Sequence, residues 1–552
     1  MKYLFFALTS LLIIQAIDAQ PVFYDLLIKN GRIVDGTGSP WYAADLAIKD
    51  GKIAAIGKMT QANARQTIDA SGLVVSPGFI DLMGQTAAPF LRDPNVAISH
   101  LSQGITTINA GEGDSDAPLN DDQARLQGWK TMREYLFKLN AAGMPMNMTQ
   151  TVGHTQIRSI VIGDKDQEAT PAQMDQMRDL VKEAMEAGAI GLSTSLIYPP
   201  AIYGSEQEIT ELTKVAGRYG GRYFTHMRNE GDRLLEAIDE ALRIGAIANT
   251  PVHIYHLKTA GQSNWGKMDQ ALSLIKAARA RGQEVGVDIY PYINNGLGIR
   301  AMLHPRHSAE GYKPLLAKLK DPGVRAEMRK EMESLSGWEN WYAHIGKDWN
   351  RLIVANLGAT PYAAYNGQSL ATISTAAGKS PWDLFFELCL LEEVFAAPQS
   401  MSEANKIKAM LEEFTSFDTD AGPTLPKDAS KEVMEGIGPG HPRAFGAFPR
   451  VLARYVRDLG VLSLEGAIHR MTAVAANEIM AYDRGRLSPG LAADIAIFDF
   501  SKIQDKASFQ SPTSLSVGME WVIVNGVVVY TNGKYTGAKP GRVIRGPGYY
   551  RP

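Results

Sequence analysis

The chain has 552 residues, a formal net charge of −3 and 45% hydrophobic residues. That composition excludes a disordered or low-complexity protein, and the length requires more than one folding unit or one large α/β barrel with additions. The weakly acidic balance offers no basic face for nucleic acid, and a single cysteine, Cys389, excludes an intrachain disulfide.

In chain order, Lys2 precedes an apolar run from Tyr3 to Ile17, broken only by Thr9, Ser10 and Gln15 and ending at Asp18-Ala19-Gln20. The run is shorter than the roughly 20 residues of a spanning helix, so the pattern predicts a signal peptide, 1–19, cleaved near Ala19. An exported protein, periplasmic or secreted, is expected, with no membrane attachment after cleavage. Residues 20–76 alternate apolar and polar positions around Asn30-Gly31 and Asp50-Gly51, pairs that supply the two positive-φ positions of a hairpin turn. The same texture returns over 484–552, with Asn525-Gly526 and Asn532-Gly533. Neither end has enough strands for a core of its own, so one β-sandwich built from both termini is expected.

Between them, 77–483 alternates apolar β-type runs with helical patterns, the signature of parallel βα units. Eight candidate strands fall at 78–83, 105–110, 146–152, 189–195, 222–226, 252–256, 285–292 and 415–420. Helix starts are marked by Thr170-Pro171-Ala172-Gln173, by Ser205 with Glu208, and by Asp232. The fold class expected is α/β: a (β/α)8 TIM-type barrel with the small β-sandwich appended. The stretch 293–414 is too long for one crossover and reads as an insertion, with the Trp-rich segment 338–349 as surface helices or a lid. Cys389 sits in an apolar helical stretch, 384–391, and reads as a buried structural thiol.

In such barrels chemistry lies at the carboxyl ends of the strands. Those ends carry Glu112, His154, His226, His256 and Asp420, although the chain has only ten histidines. Two imidazoles and a carboxylate are a competent zinc set that leaves a position for water, and a further carboxylate can carry the proton of that water.

Pro77-Gly78-Phe79-Ile80-Asp81 after a β-rich start resembles the amidohydrolase superfamily. Gly191-Leu192-Ser193-Thr194 with Tyr198-Pro199-Pro200, Thr225-His226-Met227-Arg228-Asn229-Glu230, His256-Leu257-Lys258, Asp288-Ile289-Tyr290-Pro291-Tyr292, Gly440-His441-Pro442-Arg443 and Phe448-Pro449-Arg450 together resemble the N-acyl-D-amino-acid deacylases, from about Tyr24 onward. The resemblance implies His226 and His256 as zinc ligands and Asp420 as general base and acid. It implies Lys258, Tyr198 and Tyr290 as substrate contacts. Arg228 is either the partner of the substrate α-carboxylate or a structural ion pair with Glu230 or a neighbour. His154 is either a buried structural histidine or a residue that orients substrate, and His441 is a supporting or lid residue. Asp418 lies close enough to Asp420 to compete for its role.

Two departures from the family bear on the metal. The His-x-His expected after the first strand is replaced by Met83-Gly84-Gln85-Thr86, and the cysteine expected after the second by Gly111-Glu112-Gly113-Asp114. One zinc per chain is therefore expected, with Glu112 as third ligand and Asp114 as the fallback. The activity expected is hydrolysis of the amide of a small N-acyl-D-amino acid by a metal-activated water. A cyclic amidase of the hydantoinase or dihydropyrimidinase kind, and a catalytically silent barrel kept for binding, are the alternatives.

Overall fold

The computed structural model describes residues 23–551, apart from 335, 359, 392–393 and 427–439. The expected signal peptide lies outside the described residues. No helix among them is long and apolar enough to cross a membrane.

Both termini build one nine-stranded sheet. The N-terminal strands Phe23–Ile33, Tyr42–Lys49, Lys52–Gly57, Asn63–Asp69 and Val74–Pro77 join the C-terminal strands Ile495–Phe498, Met519–Val524, Val527–Thr531 and Lys534–Tyr535. The junction is the antiparallel pairing of Val74–Pro77 with Ile495–Phe498. Ile28, Ile33, Ile48, Val75, Ile495 and Ile523 form a shared apolar layer, so neither half is complete alone. Asp50-Gly51, Asn525-Gly526 and Asn532-Gly533 are two-residue turns with positive φ at both positions. Asn30-Gly31 is not a turn. It is a bulge inside Phe23–Ile33, where the register against Tyr42–Lys49 slips. The reason is local: Asn30 N donates to Asp45 and its side chain to Asp69, so these bonds hold the pair within the strand.

The middle of the chain forms parallel strands separated by helices. Phe79–Asp81, Ile105–Ala110 and Asn147–Gln150 make a three-stranded parallel sheet. Val152–Gly153, Gly191–Ser195, Arg222–His226, Val252–Ile254, Val285–Ile289 and Thr415–Phe417 make a six-stranded one in sequential order. The sheets are continuous through the chain, since Asn147–Gln150 and Val152–Gly153 are separated by Thr151 alone. The last strand meets the first through loop bonds: Thr419 N donates to Asp81 Oδ1 at 2.9 Å and Ala421 N to the Met83 carbonyl at 3.2 Å. Helices Pro171–Ala187, Glu206–Arg218, Leu234–Ala248 and Met268–Ala280 pack side by side outside the strands.

The capping signals are met unevenly. Thr170 and Gln173 form a full reciprocal box. Ser205 accepts from Glu208 N, but the Glu208 side chain turns away to bind His154 and Arg158, so the second box is half made. Asp232 caps nothing; Leu234–Ala248 starts after Arg233, and the Asp232 carboxylate accepts from Asn264.

The stretch from 293 to 414 is a folded unit with its own four-stranded sheet, Leu297–Gly298, Phe395–Pro398, Leu352–Ala355 and Gln368–Ser369. Trp341, Trp349, Trp382, Phe385 and Phe386 are buried in a second hydrophobic core. Trp338, Trp341 and Trp349, in the segment read as surface helices or a lid, are thus core residues, packed with side chains of this small sheet and its helices. Cys389 is buried there, and burial pushes its thiol well above the usual range.

Candidate active site

The site forms where strand ends deliver polar residues in backbone conformations that extended strand cannot adopt. Arg222–His226 ends on His226. Val252–Ile254 is followed by His256, whose φ is +35°. The backbone N–H of His256 is bound to the Asp288 carboxylate, which also accepts from His253. Asp420 follows the last strand with φ of +45°. Its turn is set by Asp81, which accepts from both Thr419 N and Thr419 Oγ1. Left-handed backbone at non-glycine residues costs about 1–3 kcal/mol each, so these bonds are what keep the turns in place.

Glu112, His226 and His256 converge. Glu112 Oε1 is 2.7 Å from His226 Nδ1 and 3.2 Å from His256 Nε2, and one donor atom from each of the three lies within 4.8 Å of the others. Burial alone would raise the Glu112 carboxyl, but the two imidazoles overcome it and hold it well below the usual carboxylate range. Burial and Lys258 push His256 down, while Glu230 and Glu112 carry it up to about 9. Asp114, the fallback ligand, is exposed and outside this group.

Around this centre the cavity is lined by Tyr198, Glu230, Lys258, Tyr290 and Asp420. Asn295, Gly296, Leu297 and Trp341 of the inserted unit close its far side. Lys258 Nζ is 2.6 Å from both Glu230 Oε1 and His256 Nδ1, and 5.7 Å from the Tyr290 ring. Tyr198 packs edge-on to His226 at 5.5 Å. Burial, with Glu112, Glu230 and Asp420 nearby, holds the Tyr198 hydroxyl well above the usual range, so it remains a donor. Asp420 is gripped on both oxygens: Gln85 Nε2 donates to Oδ1 at 2.8 Å, and Arg443 Nη1 is 2.6 Å from Oδ2. Burial raises the Asp420 carboxyl and Arg443 opposes the rise, leaving a net upward shift. Asp418 does not compete. It is fully buried behind the cavity, and burial beside Asp288 pushes it well up.

Three further candidate residues lie outside this lining. Arg228 pairs with Glu240 through Nε and Nη2 and donates to the carbonyls of Ile202 and Gly204. It lines a separate groove of about 590 Å³ in which Arg233 and Arg243 are likewise salt-bridged. Its alternative reading, a structural ion pair, is what the geometry contains, with Glu240 rather than Glu230. His154 is buried and 2.8 Å from Glu208, which also takes Arg158; the demand of that buried carboxylate for partners draws the ring away from the cavity. His441 Nε2 faces the Asn294 carbonyl at 3.2 Å and Nδ1 accepts from Arg443 N, so it braces the loop that presents Arg443. Sequence reasoning missed Arg443, Glu230 and Gln85 as parts of the centre. A signal existed for Glu230: a buried Lys258 needs a carboxylate.

The amidohydrolase family model matches residues 66–328 and 436–530. The D-aminoacylase of Alcaligenes xylosoxydans xylosoxydans is 34% identical over 538 residues, spanning 96% of this chain and 98% of the relative. The crystal structure of N-acyl-D-glutamate deacylase from Bordetella bronchiseptica, complexed with zinc and a phosphonate mimic of the tetrahedral intermediate, is 30% identical. It superposes with a TM-score of 0.79 over 95% of this chain and 100% of that one. The L-hydantoinase of Arthrobacter aurescens, 18% identical with a TM-score of 0.54 over 95% of this chain and 100% of that one, shares the fold. The chain belongs to the amidohydrolase family and, within it, to the N-acyl-D-amino-acid deacylases.

Proposed function

We propose that the protein hydrolyses the amide bond of N-acyl-D-amino acids, giving a carboxylate and a free D-amino acid, with one zinc ion held by Glu112, His226 and His256. The observation that carries this is the convergence of those three donors beside Asp420 in one cavity. Two imidazoles and a carboxylate gathered within 4.8 Å of one another supply the nitrogen and oxygen donors that zinc takes. When bound, zinc supplies Lewis acidity to the amide carbonyl and lowers the pKa of water. The missing His-x-His and cysteine argue for one ion.

The remaining work falls to the chain. Asp420 accepts a proton from the attacking water and returns it to the leaving nitrogen, so the amine departs neutral. Burial raises its pKa, which eases the return, and Arg443 opposes the rise, which favours the ionised form that acts first as base. The Tyr198 hydroxyl is positioned to donate to oxygen as charge develops there. Lys258, backed by Tyr290, is the cation facing the cavity and takes the substrate α-carboxylate. The strand order and the bonds from Thr419 and Ala421 to the first strand support a closed (β/α)8 barrel over 77–483 with an insertion at about 293–414. We also propose a β-sandwich formed by 20–76 and 484–552, and export directed by the segment 1–19.

Purified zinc-loaded enzyme should release D-amino acids from N-acetyl-D substrates at least about 100-fold faster than their L enantiomers. Turnover of the L series alone would remove the D assignment, and turnover of neither would remove the deacylase reading.

A further inference from the structure

We propose that Gln85 is a positioning residue of this centre: its single amide group ties the ligand carboxylate Glu112 to the proton-carrying carboxylate Asp420 and fills the gap in which a second cation would otherwise sit. This inference rests on the deacylase reading. Gln85 Nε2 is 2.7 Å from Glu112 Oε2 and 2.8 Å from Asp420 Oδ1. An amide nitrogen has two hydrogens, and in this site each meets a different carboxylate. The opposite orientation would set the amide oxygen against two anions, so the charges around it fix which end faces the gap. Both bonds are charge-assisted and therefore strong.

The backbone is built to present this side chain. Gln85 has a φ of +58°, a left-handed conformation in a non-glycine residue. It is held by Gly84 N donating to the Asn109 carbonyl at 2.8 Å and by Gly111 N donating to the Gln85 carbonyl at 2.7 Å. Gly84 packs against Ile108 so closely that a Cβ would lie 2.6 Å from the Ile108 Cβ, so no side chain fits at that step. Met83 is turned inward among Ile80, Phe224 and Tyr255 and offers the gap no donor. Of the three positions from Met83 to Gln85, one is apolar core, one needs to be glycine, and Gln85 alone reaches the carboxylates.

Two carboxylates facing one gap repel each other and attract a cation. A neutral double donor removes the repulsion without bringing charge. It keeps Glu112 Oε2 occupied, so that Oε1 faces the imidazoles, and it aims Asp420 Oδ2 at Arg443. Gln85 thus does with two N–H groups what a bridging ion would otherwise do, and it makes the site a one-ion site.

The test uses two isosteric variants and the metal-free full-length protein. Apoprotein is titrated with Co2+ and followed by visible absorption, and steady-state kinetics are measured on zinc-loaded enzyme. Wild type should saturate at one equivalent. Gln85→Glu, which exchanges the donor for a third carboxylate, should saturate at two. Gln85→Met, which keeps the length and loses both donors, should lower kcat by about tenfold or more with KM within about twofold and the first equivalent still bound. Saturation of Gln85→Glu at one equivalent, together with Gln85→Met kinetics equal to wild type, would overturn the inference while leaving the deacylase reading intact. Two equivalents in wild type would overturn it directly. A wild type that neither binds Co2+ nor turns over substrate would bring down both.

Discussion

Replacing Arg443 by methionine isolates the electrostatic control of Asp420, the proposed proton carrier. Arg443 Nη1 lies 2.6 Å from Asp420 Oδ2, and both side chains are nearly buried. Burial pushes the Asp420 carboxyl up and Arg443 is the largest influence holding it down. A positive charge at this range lowers a carboxyl pKa by about 1–3 units, and each unit corresponds to about 1.4 kcal/mol. In the proposed role of base Asp420 acts only when ionised, so activity should fall as the pH drops through its pKa. Removing the guanidinium raises that pKa further, and the acidic limb of kcat/KM should move upward by about 1–3 units. Methionine keeps most of the apolar stem against the Tyr290 ring, over which the guanidinium now sits at 4.7 Å. Activity at a pH above the displaced limb should then recover in part. If the limb stays where it is in the wild type and the whole profile drops uniformly, Arg443 acts on substrate or on the fold, and it does not tune the proton affinity of Asp420.

Two other perturbations separate structure from chemistry. His154→Gln removes the imidazole from the buried Glu208–Arg158 group, so it should lower stability by about 1–3 kcal/mol while leaving KM within about twofold; a tenfold rise in KM would return His154 to substrate binding. Asp494 ties the C-terminal part of the chain to the parallel strands: it pairs with buried Arg484 and accepts from Asn147 Nδ2 and Asn525 N. Asp494→Ala leaves Arg484 without its buried partner, so the denaturant midpoint should fall by the equivalent of about 3–5 kcal/mol with kcat per folded molecule unchanged. An unchanged midpoint would mean that this junction contributes little.

What the sequence makes legible is what short-range pattern and strand-end geometry determine. The strands Ile105–Ala110 and Arg222–His226 fall at their expected bounds, because β-branched and aromatic residues there follow glycines that mark the turn. Glu112, His226, His256 and Asp420 come together as the strand-end rule requires. The rest depends on contacts between distant segments. Arg443 reaches Asp420 across 23 positions of chain, and Gln85 reaches it across 335. No local periodicity encodes either approach. The two readings of Arg228 stay open in the sequence because its partner, Glu240, lies on the following helix and meets it only after the strand and helix pack. The Asn30-Gly31 pair carries the same turn chemistry as the three true hairpins, and only the partners of Asn30 make it a bulge. Trp341 looked like surface because the small sheet that buries it is assembled from four pieces spread between 297 and 398.

We propose that one metal ion is held by Glu112 with His226 and His256, and the direct measurement is metal content per chain in wild type and in Glu112→Ala. Losing an outer partner of a metal ligand costs about 10–100-fold in affinity, so losing a ligand should cost more than about 100-fold. One zinc should remain on each wild-type chain after dialysis against metal-free buffer, and the variant should retain no zinc and show no deacylation. A Glu112→Ala protein that keeps its full metal and its activity would contradict the claim.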